Sequence, residues 1–193
     1  LGDFLVEKNS SVYFYDCARI GARLNDWNYD GKYYNLAEKC LDSASTFTKE
    51  RDLNYYNVLW QDGPQDNYYS YDSNYFINVI KNLITISGLE TQWFLSVYTY
   101  GGSDDAYRDS KLEDIIILMN TYENLYLGAN LDKNCIGDAP FSDIEVLNIA
   151  QSWYTSIVKK SKTGYLFNIF TNCISGFSFS NLLFSFSLIF MGF

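Results

Sequence analysis

Apolar residues recur three and four positions apart through most of this chain, and turn formers interrupt them at short intervals. That spacing gathers side chains on one stripe of a helix. Phe14, Cys17, Gly21 and Leu24 lie on one such stripe, and Tyr33, Ala37, Cys40, Ala44 and Phe47 lie on the next. Between them, Asn28-Tyr29-Asp30-Gly31 reads as a turn, because Asn, Asp and Gly tolerate positive φ or hydrogen-bond their own backbone. A second pair of stripes runs through Phe76, Ile80, Leu83 and Ile84 and then through Trp93, Phe94, Val97 and Tyr98, with Gly88 placed to cap the first.

Leu112, Ile115, Ile116, Met119, Tyr122, Leu125 and Tyr126 give the strongest helical signal, which Gly128 ends. Ser142 stands as an N-cap with Glu145 at the capping-box position, ahead of Leu147, Ala150, Trp153, Tyr154 and Ile157. No segment longer than four residues shows a clear period of two. The predicted fold class is therefore all-α, a run of antiparallel α-hairpins.

A chain of 193 residues suits one ordinary domain. Residues 1–162 are assigned to the helical hairpins, and residues 163–193 form a tail with no charged residue. The tail is long enough to span a bilayer, and its small residues at Ser175-Gly176 followed by an apolar end also fit a lipid-anchor signal. A helix packed on the domain is the plainer reading. Because the chain begins with Leu1 rather than Met, a processed chain or a fragment is expected.

Charge and composition narrow the chemistry. With 23 acidic against 14 basic residues, the net charge of -9 repels a phosphate backbone, so nucleic acid is not an expected partner. There is no histidine, which removes Ser-His and Cys-His nucleophile pairs. The cysteines Cys17, Cys40, Cys135 and Cys173 have no C-x-x-C spacing, and neither a metal nor a cofactor is predicted. Cys17 and Cys40 either pair in an oxidising compartment or stay as buried thiols. Asn9-Ser10-Ser11 is a glycosylation sequon that matters only if the chain is secreted.

The segment LWQDGPQDNYYSYDSNYF, residues 59–76, concentrates aromatic rings and carboxylates. A pyranose has apolar C–H faces and polar edges, so Trp60, Tyr68, Tyr69 and Tyr75 are candidate sugar platforms; the competing role for each ring is packing. Asp104-Asp105 is the one Asp-Asp pair, and its Gly-rich surroundings favour a solvated loop. Arg19 and Arg23 either face solvent or pair with a carboxylate.

The order of several segments resembles glycoside hydrolase family 76, the α-1,6-mannanases. GARLNDWNYDGKYYNLAEKCLDSA resembles that family's recurrent hairpin, and VLWQDG followed by YDSNYFINVIKNL resembles its Asp-Gly segment and the helix start after it. ISGLETQWF, KLEDIIILMNTYENLY and IAQSWYTSIVKKSKTGYLF continue the series in order, covering residues 11 to 167. The resemblance implies part of an (α/α)6 toroid, with Asp62, Gly63 and Tyr71 lining a cleft for mannan. It also implies a secreted or cell-surface glycosidase, anchored through the tail if that is a membrane or lipid signal. Where the family has Asn-Gln-Gly, this chain has Asp72, Ser73 and Asn74, without the close approach that glycine permits. The family's adjacent catalytic aspartates belong upstream of Leu1, so no catalytic residue is assigned and the chain alone is expected to be inactive. A noncatalytic helical-repeat protein, binding carbohydrate or acting as a scaffold, is the alternative.

Overall fold

The computed structural model describes residues 13–20, 22–53, 55–61, 72–88, 91–97, 105–131, 143–160 and 185–192. Its elements run in the order β1 (Tyr13–Asp16), β2 (Arg19–Ile20), a 3-10 turn (Leu24–Trp27), α1 (Tyr34–Glu50), β3 (Tyr56–Gln61), α2 (Ser73–Ser87), β4 (Gln92–Val97), α3 (Asp105–Thr121), β5 (Leu125–Asn130), α4 (Asp143–Lys159) and β6 (Ser185–Gly192). The fold is mixed α/β, which overturns the all-α hairpins and with them the (α/α)6 toroid. The strand order is β1-β6-β3-β4-β5, with β2 pairing β6 off that path. β3, β4 and β5 are parallel neighbours, while β6 runs antiparallel to both β1 and β3.

The correction has a local cause. β4 reads Gln-Trp-Phe-Leu-Ser-Val and is buried along nearly its whole length. A strand covered on both faces has no polar side to alternate with, so it appears as a continuous apolar run that a helix could equally use. Trp93, Phe94 and Val97 therefore belong to a strand rather than a helix. Likewise α3 stops at Thr121, and Leu125 and Tyr126 open β5. Phe14 and Cys17 lie in and after β1, and Leu24 lies in the 3-10 turn, so their apparent helical stripe is also lost. α1, α2 and α4 match three expected helices in place, and α4 buries Ala150, Trp153 and Ile157 of its expected stripe while Leu147 is exposed.

Alternation along the strands sorts the core into two layers. Tyr56, Val58 and Trp60 of β3, Trp93, Leu95 and Val97 of β4, and Leu125 and Leu127 of β5 pack with α1, α2 and α3. Leu59, Phe94, Ala129 and Leu131 turn to the opposite face, where Trp153 and Ile157 of α4 cover them. Helices on both faces shield the central parallel strands, as a parallel sheet requires.

Close approaches fix two joints. A Cβ on Gly128 would stand 2.7 Å from the Leu95 carbonyl carbon and oxygen, and the β4–β5 register shifts at this point, between Leu95 and Val97. Glycine thus admits the bulge that returns Ala129 to the α4 side. At the turn into α1, Asp30 has φ 65°, and a Cβ on Gly31 would lie 2.5 Å from the backbone oxygens of Asn25 and Asp26. A Cys17–Cys40 disulfide ties the end of β1 to α1. It settles the alternative of paired or free thiols at these positions.

Residues 185–192 of the uncharged tail form a strand of the sheet. Among the described residues, no helix is long and apolar enough to cross a membrane.

Candidate functional site

The three parallel strands end side by side at Gln61, Val97 and Asn130. In open α/β sheets, ligands bind outside the carboxyl ends of the strands, where backbone groups lose their ladder partners and the connecting segments supply side chains. β3 is also where the strand order turns back, because β6 rather than a further parallel strand occupies its other side.

The α4 face of this edge is polar. The register pairs Trp60 with Leu95 on the other face, so the next residues, Gln61 and Ser96, stand adjacent beneath α4. Trp153 Nε1 donates to Gln61 Oε1 at 3.2 Å. Ser96 is only 2% exposed, and its Oγ has no hydrogen-bond partner among the described residues. A buried hydroxyl of this kind costs stability unless something accepts or donates there. The Asn130 amide donates to Ser152 Oγ at 3.1 Å, and Ser156 Oγ donates to the Gly128 carbonyl at 2.7 Å. These bonds hold α4 against β5, which sets the Trp153 indole at the end of β3. The edge holds amide and hydroxyl groups suited to a neutral polar ligand, while the Trp153 indole, 5% exposed, packs in the core and reaches Gln61 through its N–H.

α2 starts at the same edge. Asp72 caps it, with Oδ1 accepting from the Tyr75 amide at 3.2 Å, so Tyr75 sits in the first turn and packs partly on the core. Asp72 thus does capping work at the first position of the helix start that the resemblance sets against Asn-Gln-Gly. Trp60 is 1% exposed, its ring edge-on to Trp27 at 5.9 Å, on the face away from α4. Its ring is engaged in packing. Asp62, Gly63, Tyr68, Tyr69 and Tyr71 lie outside the described residues, as does Asp104. The chain enters residues 62–71 directly from Gln61 at the edge described here. The guanidinium of Arg19 donates to the Ala18 carbonyl.

Gln61, Ser96 and Trp153 escaped the sequence reading as site residues. Gln61 stood next to Asp62 in the aromatic stretch and could have been read with it, but Ser96 and Trp153 gain meaning only from strand register and helix placement.

A concavity of about 470 Å³ lies between α1 and the end of α2, lined by Glu38, Leu41, Asp42, Ser45, Ile86, Ser87 and Gly88. It opens at the other end of the sheet, before β4, and its two carboxylates are exposed to water. Among the described residues, no group of three His, Cys, Asp or Glu side chains could hold a metal ion. No protein-family model, curated protein or solved structure matches the chain.

Proposed function

We propose that this chain is a carbohydrate-binding α/β domain whose ligand lies against the carboxyl ends of β3, β4 and β5. The observation that carries the reading is the buried Ser96 hydroxyl, without a hydrogen-bond partner among the described residues, beside the Gln61–Trp153 hydrogen bond. Hydroxyl and amide groups exchange donors and acceptors readily with sugar hydroxyls. The sequence of the adjoining segment adds Asp62, Tyr68, Tyr69 and Tyr71 within ten residues of Gln61. The strong negative net charge disfavours phosphorylated ligands and nucleic acid.

Binding, rather than hydrolysis of mannan, is what the geometry supports. The mannanase expectation drew its cleft from a toroid, and the parallel sheet replaces that scaffold. The Cys17–Cys40 disulfide supports residence in an oxidising compartment, where free glycans are accessible to the domain.

Calorimetric titration of the full chain with neutral trisaccharides of mannose, glucose and N-acetylglucosamine tests the proposal. At least one should bind, and Gln61→Ala should weaken it by about 1 kcal/mol, the net value of a hydrogen bond. Silence from all three sugars, with the chain folded, would overturn the reading.

A further inference from the structure

The outward side of α4 carries an apolar stripe that the core does not use. Ile144 is 71%, Leu147 58% and Val158 61% exposed, with exposed Gln151 between them. Their spacing of three, four and seven residues lines them up along one side of the helix. Elsewhere the exposed apolar residues are scattered, as on α3 with Ile117, and isolated ones are ordinary. Three on one side of one helix form a surface of another kind.

From the charge at its two ends, we infer that this stripe docks on a second copy of the chain, α4 against α4 in antiparallel orientation. The first turn carries Asp143 and Glu145, and the last turn and the residue after it carry Lys159 and Lys160. Antiparallel pairing sets the acidic end of each helix beside the basic end of the other and opposes the two helix dipoles. Parallel pairing would stack like charges at both ends. A second copy is thus the occupant whose charge complements the two ends of this helix.

The stripe also has a centre. Gln151 lies seven residues after Ile144 and seven before Val158, so a two-fold axis through Gln151 sets Ile144 against Val158 of the second copy and Leu147 near Thr155. An amide on the axis can donate to and accept from its own image. The apolar pairs flank it on both sides.

The test is sedimentation together with cysteine cross-linking of the full chain, using the unaltered chain as the control for its native cysteines. The unaltered protein should show a concentration-dependent dimer, and Leu147→Glu should raise the dissociation constant at least tenfold while leaving the circular dichroism unchanged. Gln151→Cys should form a cross-linked dimer under mild oxidation. Ile144→Cys should not link to itself, because the two copies would stand about 20 Å apart along the helix axis, but it should link to Val158→Cys when the two variants are mixed. A protein monomeric at all concentrations would overturn the inference. So would a dimer in which Gln151→Cys fails to link, which places the contact elsewhere, or one in which Ile144→Cys links to itself, which makes the helices parallel.

Discussion

Tyr56 Oη donates to the Ser87 carbonyl at 2.8 Å, joining the first residue of β3 to the last residue of α2 across 31 positions of sequence. The same carbonyl accepts from Thr91 Oγ1 at 2.7 Å, and Ser87 Oγ accepts from Trp93 Nε1 at 2.9 Å. The network secures the end of α2 to the starts of two parallel strands. Burial raises the Tyr56 phenol above its ordinary range, partly offset by the hydrogen bond with Thr91, and the Asp42 carboxylate adds a lesser rise.

Stability should therefore fall in alkali. Below pH 10 both folded and unfolded forms keep the phenolic proton, and the contribution is complete. Above that, the unfolded form releases the proton first, so stability declines as pH rises toward the raised folded pKa. Urea unfolding at several pH values should show this decline, and Tyr56→Phe should flatten the part due to this phenol while costing about 1 kcal/mol at neutral pH.

Breaking the Cys17–Cys40 bond releases a loop with a sequence separation of 23 residues. Loop-closure entropy sets the expected loss at about 3 kcal/mol. Denaturant unfolding of the oxidised chain and of the Cys17→Ser, Cys40→Ser double variant should differ by that amount.

At Gly128 the added methyl of Gly128→Ala would meet backbone rather than a movable side chain, at 2.7 Å from Leu95. Relief requires displacement of β5 from β4, and the cost should be about 1–3 kcal/mol. Thermal melts of folded variants should show a clear loss for Gly128→Ala and a loss of about 1–3 kcal/mol for Gly88→Ala as well, because φ 82° with ψ 163° at Gly88 is a conformation that glycine alone adopts readily, although the space around it is open.

The helices were legible because each of α1, α2 and α4 buries one stripe at helical spacing, although α4 also leaves Ile144, Leu147 and Val158 exposed. The strands were not. Trp93, Phe94 and Leu95 are buried on alternating faces beneath different helices, and both faces demand apolar residues. Composition alone cannot separate that demand from a buried helix. Gly128 follows a helical stripe as a helix terminator would, whereas its Cβ space is closed by a neighbouring strand, a long-range condition with no local signature. The aromatic stretch was recognised as unusual, but its Trp60 faces the core while Gln61, the next residue, faces the site. Only alternation along β3 distinguishes them.

The most direct measurement of the ligand reading is the indole N–H resonance of Trp153 during titration with the sugar that binds most tightly. Its hydrogen bond to Gln61 places that proton at the proposed edge. The account predicts that the Trp153 signal shifts with the binding isotherm while the indole signal of Trp27, buried under the opposite helical layer, stays in place. Binding that moves Trp27 and leaves Trp153 unchanged would contradict it.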